Sequence, residues 1–226
     1  SGAAYTLNGG TLNFHDTAPT TQAAVDSSTL DVDGAFNFNG GTLMNVTNID
    51  VTSATGQTFV QDGGNFVIGV DGNLDPNDSN TTRAITTITG SYTQNDGTLL
   101  IDIFGPGSHG GNGEQGSTLM IDPLSPGLDS DLLHVMGDAM LDGTLAINLN
   151  GIEPAPFAWY DVLLADGLID ADDLELTGVN LFRVIDNPFG AGQLLQVAVP
   201  EPASCALWSL LGLMFGLFAW RRMKAK

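Results

Sequence analysis

The first two hundred residues of the chain are dominated by short runs in which apolar and polar residues alternate. Five such runs share a glycine-containing phrase: NGGTLNF from residue 8, NGGTLMN from 39, DGGNFVI from 62, NDGTLLI from 95 and LDGTLAI from 141. Asn-Gly and Asp-Gly supply the positive φ that tight turns need, and the alternating Leu, Phe and Ile then place one side chain inside and the next outside. Each phrase therefore predicts a turn followed by a β-strand.

The spacing of these phrases predicts a repeated architecture. The second residue of the Gly-Gly or Asp-Gly pair in the five phrases is residue 10, 41, 64, 97 and 143, respectively. The intervals of 31, 23, 33 and 46 residues lie within the range of solenoid coils with loop insertions. The stretches at 51–61 and 84–94 are rich in β-branched residues and also favour strands, and no stretch in residues 1–199 has a helical period. We predict an all-β fold and favour a parallel β-solenoid, with antiparallel hairpins as the alternative.

The end of the chain has a different pattern. Residues 203–220 contain no charge, and as a helix at about 1.5 Å per residue they would just cross the hydrocarbon of a bilayer. We therefore predict a single transmembrane helix at 203–220. Basic residues that follow it would stop transfer and hold the C-terminus in the cytoplasm, with the rest of the chain outside. These membrane-stop residues are Arg221, Arg222, Lys224 and Lys226.

The four residues before this apolar span form the sequence Val199-Pro200-Glu201-Pro202. Proline lacks a backbone donor and disfavours helix in the residue before it, so we expect an extended, accessible segment at the membrane surface. Together with the apolar span and the Arg221-Arg222 pair, this segment resembles the PEP-CTERM sorting signal of Gram-negative bacteria. The resemblance implies recognition by exosortase, processing near the motif, and transfer to the cell surface or the exopolysaccharide matrix.

A second resemblance concerns residues 129–164, which are similar to the last coils of autotransporter-type passenger β-helices. It implies a right-handed β-helix whose final coils cover the open end and continue in short strands toward Val197. The residues that carry the resemblance are Asp131, Leu132, Val135, Gly137, Leu141, Gly143, Leu145, Ile147, Pro154 and Phe157.

These patterns divide the chain into four parts. We predict solenoid coils at 1–104, a Gly-rich loop at 105–117, terminal β-helix coils with a cap at 118–198, and the sorting signal at 199–226. We call residues 1–198 the body and residues 199–226 the tail.

Charge is distributed very unevenly between the body and the tail. The body has 25 acidic residues against Arg83 and Arg183, whereas the tail has Glu201 against four basic residues. The body therefore excludes nucleic acid as a partner, because phosphate binding depends on clustered Lys and Arg. Cations, exopolysaccharide or neutral surface glycans suit it better. Cys205, the single cysteine of the chain, allows neither a disulfide framework nor a thiol-based metal site.

One segment of the body has the composition of a calcium loop. Residues 71–80 (DGNLDPNDSN) place hard oxygen ligands at nearly alternate positions, as calcium loops do. The candidate ligands are Asp71, Asn73, Asp75, Asn77 and Asp78. Pro76 and Thr82 break the EF-hand template, and an Asn/Asp-rich turn would look the same. Calcium is thus a possible ligand, and no other cofactor is predicted.

The sequence leaves two functional classes open, and charge favours one of them. A uronate lyase on a β-helix needs Lys or Arg to neutralise its substrate and abstract a proton, and the body offers only Arg83 and Arg183. A glycosidase needs two carboxylates, and no pair is marked by its context. We therefore predict an exported, non-catalytic surface or matrix protein. A polysaccharide-active β-helix enzyme and a calcium-dependent adhesin are the alternatives.

Overall fold

The computed structural model describes residues 4–14, 28–33, 35–52, 57–68, 84–103, 130–149 and 159–198. No helix that could span a membrane occurs within these ranges. The predicted transmembrane helix at 203–220 and the Gly-rich loop at 105–117 lie outside them. The strands are β1 (Ala4–Asn13), β2 (Thr29–Asp31), β3 (Ala35–Met44), β4 (Asn48–Asp50), β5 (Thr58–Val67), β6 (Ile85–Ile88), β7 (Ser91–Asp102), β8 (Leu132–Val135), β9 (Ala139–Leu141), β10 (Thr144–Asn148), β11 (Trp159–Ala165), β12 (Ile169–Asp170), β13 (Glu175–Thr177), β14 (Leu181–Asp186) and β15 (Gln193–Ala198).

The strands are divided between two sheets, and the chain passes back and forth between them. The first sheet has the order β1-β3-β5-β7-β10-β13, with β9 beside β7 and β12 beside β9, and the second has the order β14-β15-β11-β8-β6-β4-β2. The strand pairs are parallel except β11–β15 and β14–β15. The all-β prediction is thus confirmed, with parallel sheets. Among the described strands, antiparallel pairing is confined to the C-terminal end.

The five glycine phrases lie side by side in the first sheet, in the register that their spacing predicts. Residues that follow the phrase glycines pair in succession along the sheet: Thr11 with Thr42, Thr42 with Asn65, Asn65 with Thr98, and Thr98 with Thr144. A sixth member, Glu175, pairs with Thr144 although its segment lacks the phrase. We call each step along this sheet a level. The number of residues between two phrases in the sequence is therefore the same as the offset between paired residues in the two neighbouring strands.

The glycines of the first four phrases bend a strand around the core. Gly10, Gly41, Gly64 and Gly97 have positive φ, as predicted, yet each lies within a longer strand. At Gly143, in the fifth phrase, the prediction of positive φ is wrong. The rings of Phe59 and Phe66 on β5 are 5.7 Å apart, whereas seven residues of straight strand would separate them by about 23 Å. A strand thus precedes each of these turns as well as following it. Only the fifth phrase separates two strands, β9 and β10.

The bends stack so closely that side chains have no room there. A Cβ on Gly41 would lie 2.7 Å from the carbonyl oxygen of Gly10, and one on Gly64 would lie 2.6 Å from that of Gly41. The same contact recurs at Gly97, 2.6 Å from the carbonyl oxygen of Gly64. At the first level, by contrast, a Cβ on Gly9 would meet nothing within 4 Å. Close backbone approach therefore requires glycine at the inner levels.

The core lies between the sheets and consists of columns of similar side chains. One column stacks Phe36 on Phe59 and Phe59 on Tyr92, with ring centroids 5.7 and 6.1 Å apart, and Tyr5, which is 53% exposed, covers its outer end at 5.5 Å from Phe36. Offset stacking of this kind adds to the stabilisation from apolar burial. A second column, on the other side of the bend, consists of Leu12, Leu43, Phe66, Leu99 and Leu145.

Two buried glutamines hold the bends from inside the core. The Nε2 of Gln61 donates to the carbonyl oxygens of Gly64 and Thr98, at 3.1 and 3.3 Å. Gln94 repeats the arrangement one level on, donating to Gly97 and Thr144 at 3.1 and 3.2 Å. Each glutamine therefore joins its own bend to the neighbouring strand.

Candidate functional site at the C-terminal end of the body

The body ends in a three-stranded arrangement from which the tail leaves. Ala198, the last residue of β15, pairs with Trp159 at the start of β11 and with Leu181 at the start of β14. We call Trp159, Leu181 and Ala198 the exit row. Leu181 is 51% exposed and Trp159 is half-buried, whereas Ala198 is buried. The tail therefore starts from the middle strand, between an aromatic and an exposed apolar side chain.

A chain of polar contacts crosses the three strands next to the exit row. Arg183 Nε donates to Gln196 Oε1 at 2.8 Å, and Gln196 Nε2 donates to Asp161 Oδ1 at 2.6 Å. The guanidinium carbon of Arg183 lies 4.0 Å from the centroid of the Trp159 ring, a cation–π geometry. Arg183 is the only Lys or Arg within the described ranges. A positive charge is thus fixed beside the exit row.

The same network ties the exit row to the rest of the body. Asp161 and Gln196 are almost completely buried, and Ser130 Oγ donates to the backbone oxygen of Asp161 at 2.9 Å. Asp131 Oδ1 accepts a hydrogen bond from the backbone nitrogen of Ala84 at 2.8 Å. Since buried polar groups lose much free energy when their partners are removed, these contacts hold the last strands in place.

Strand β15 itself is part of the core. Leu194, Leu195 and Val197 are at most 1% exposed. Detaching this strand to lengthen the tail would expose these side chains to water, at roughly 1.5–3 kcal/mol for each of them. The attachment point of the tail is therefore rigid.

The predicted site residues fall outside the part of the chain that the structure describes. This holds for the sorting residues 199–202, for the membrane-stop residues 221, 222, 224 and 226, and for the calcium candidates within 71–80. Their roles stay predictions. Within the described ranges, no group of three or more His, Cys, Asp or Glu side chains could hold a metal ion. His134 is paired instead with Asp166, at 3.1 Å between Nε2 and Oδ1.

Sequence reasoning missed the network at the exit row. Arg183 was recognised there only as a rare charge, and Trp159 and Gln196 were not singled out. These residues are 24 and 13 positions from Arg183 and meet it only through antiparallel pairing. The one available signal is that Arg183 and Gln196 are each flanked by apolar residues in a short segment that favours a strand.

Comparison with known proteins identifies one feature of the chain, at its C-terminus. Residues 198–223 match the PEP-CTERM protein-sorting motif, so the match begins at the last residue of β15. A motif of this kind is recognised by exosortase and implies export to the cell envelope or surface. No curated protein and no solved structure is significantly similar to the chain. The chain is thus an exosortase-sorted exported protein by its motif.

Proposed function

We propose that this chain is a non-catalytic cell-surface or extracellular-matrix protein of a Gram-negative bacterium. In this proposal, exosortase recognises Val199-Pro200-Glu201-Pro202 while the apolar span at 203–220 lies in the inner membrane. The basic residues that follow the span hold the C-terminus in the cytoplasm before processing. The body stands outside, and its final location is the cell surface or the exopolysaccharide matrix.

The observation that carries the proposal is the position of the matched motif. The motif starts at residue 198, where the last buried strand ends, so the folded body and the sorting signal adjoin without a linker. A signal in this position can be removed without loss of any strand that the structure describes. We therefore expect the body to stay folded after the tail is removed.

We further propose that the body is a right-handed parallel β-solenoid that acts as a spacer or an adhesive face. The alternation of strands between two sheets and the stacking of like residues support this architecture. Its role is non-catalytic in this proposal because its charge is almost wholly negative, which leaves little to bind or polarise an acidic sugar. Neutral glycans or exopolysaccharide are its proposed partners.

Replacing Pro200, Glu201 and Pro202 together with alanine tests the sorting role. We expect the body to fold normally and to accumulate at the inner membrane, because exosortase would no longer recognise the segment. Intact mass of the protein from membrane and matrix fractions measures this, since unprocessed chains retain the apolar span and the basic residues after position 202.

Pro188→Ala is the matched control, because Pro188 lies in an exposed turn of the body between β14 and β15. This variant should reach the matrix at the normal level. Normal release of the triple-alanine variant would contradict the sorting role of residues 200–202.

A further inference from the structure

The distance between the body and the membrane is limited by the short tail segment after β15. Only residues 199–202 separate Ala198 from the apolar span that starts at 203. Five fully extended steps reach at most about 18 Å, and the headgroup layer takes up roughly 5 to 8 Å of that reach. Because β15 is buried and paired on both sides, detaching it to lengthen the segment between body and membrane would cost considerable free energy. The exit row therefore lies close to the membrane whenever the span is inserted.

The side chains at this end suit the headgroup region. Trp159 offers an amphipathic ring, of the type enriched at membrane interfaces, and Leu181 offers an exposed apolar side chain. Arg183 holds a positive charge over the Trp159 ring, where it can reach lipid phosphate. We call Trp159, Leu181 and Arg183 the exit face.

The charges around the exit face favour this end of the body for contact with the membrane. The body has a large excess of acidic residues, so most of its surface is repelled by anionic lipid. In the three rows nearest the tail, however, the single carboxylate is Asp161, which is 1% exposed and accepts a hydrogen bond from Gln196. The nearest exposed acid on β14 is Asp186, at the far end of that strand. These three rows therefore add little repulsion when this end approaches an anionic surface.

We propose that the exit face rests on the phosphate headgroups of the bilayer while the tail is inserted. This inference rests on the proposed membrane transit of the tail. Tethering raises the effective concentration of the exit face at the membrane, so a few weak contacts suffice to orient the body. The contact would fix the orientation of the exit row, where the tail leaves the body, relative to the membrane surface.

Fluorescence of Trp159 tests the proposal in the full chain. Trp208→Phe and Trp220→Phe leave Trp159 as the single tryptophan. The protein is reconstituted in phosphatidylcholine vesicles with or without phosphatidylglycerol, and the lipids carry bromine on the upper part of their acyl chains. We expect bromine to quench Trp159 emission. Since one basic residue beside an anionic membrane contributes about fivefold to binding, the docked fraction relative to the undocked should rise about fivefold when phosphatidylglycerol is present.

Two substitutions of exposed leucines distinguish a specific contact between the exit face and the membrane from general proximity of the body to the membrane. Leu181→Asp should abolish the quenching, because it puts a charge into the exit face. Leu168→Asp is the matched control: Leu168 is 69% exposed and directly precedes β12, whose Ile169 contacts Gln193 at the opposite end of β15 from the exit row. This control should be quenched as strongly as the parent protein.

Separate readouts keep this inference apart from the proposed function. Vesicle flotation reports insertion of the tail, and a chain that does not float would contradict the proposed membrane transit. A chain that floats without quenching of Trp159 would overturn the headgroup contact alone. If, in that case, Leu181→Asp still slowed processing in cells, the exit face would bind exosortase instead of lipid, and our proposal would be wrong.

Discussion

Replacing Gly64 by alanine is expected to lower the free energy of unfolding by about 2 to 5 kcal/mol. Gly64 has a φ of 74°, which L-residues rarely adopt, and its added Cβ would lie 2.6 Å from the carbonyl oxygen of Gly41. The backbone cannot shift to relieve this contact, because Gly97 packs against Gly64 at the next level in the same way. Guanidinium unfolding of the full chain in detergent micelles, followed by circular dichroism of the strands, measures the change.

Two glycines of the first level provide matched controls. Gly10→Ala has the same positive φ but no heavy atom within 4 Å, so only the backbone strain of about 1 to 2 kcal/mol applies. Gly9→Ala has neither constraint and should change stability by less than about 0.5 kcal/mol. If Gly64→Ala cost no more than Gly10→Ala, the close stacking of the bends would not contribute to stability.

The second large effect is expected at Gln61. Its Oε1 accepts a hydrogen bond from the Tyr92 hydroxyl at 2.6 Å, and burial raises the pKa of Tyr92 well above its usual range, so this hydroxyl stays a donor. Gln94 has no such partner: its Oε1 is buried and unbonded, because Ala139 stands where Tyr92 stands one level earlier. Gln61→Leu should therefore cost about 1 to 3 kcal/mol more than Gln94→Leu, the cost of leaving a buried hydroxyl unpaired.

A double variant isolates the contribution of the unpaired Tyr92 hydroxyl to the loss of stability. Adding Tyr92→Phe to Gln61→Leu removes the unpaired group and should recover most of the difference between the two leucine variants. Both leucine variants lose the same two contacts to bend carbonyls, so they form a matched pair. Equal stability of Gln61→Leu and Gln94→Leu would contradict the role assigned to Tyr92.

Much of the fold follows from the sequence because the glycine phrases carry both a conformational and a packing constraint. The positive φ at Gly10, Gly41, Gly64 and Gly97 and the repetition of the phrases were readable from Asn-Gly and Asp-Gly followed by alternating Leu and Phe, whereas Gly143 does not have the predicted positive φ. The sixth level was missed because Glu175-Leu176-Thr177 has no glycine before it. The bent strands were also missed, since a glycine inside a strand and one between strands give the same local pattern.

The residues at the exit row could not be predicted for a different reason. Trp159, Arg183 and Gln196 come together through the pairing of β11, β14 and β15, which local patterns do not specify. The two buried glutamines were easier to predict from the sequence, because Gln61 and Gln94 precede equivalent bends at the same 33-residue spacing as Gly64 and Gly97. The sorting motif was readable because its recognition depends on the linear sequence and not on the fold.

The constant register has a consequence for how the length of the body can change. Successive levels use between 23 and 46 residues of chain, yet each adds one strand spacing of about 4.8 Å along the first sheet. The reach of the body along the first sheet is thus counted in levels, and additional residues between two levels do not lengthen it. Duplication or loss of one phrase, with the chain up to the next, would move the two ends of the molecule apart or together by a fixed increment while leaving the attachment of the tail unchanged.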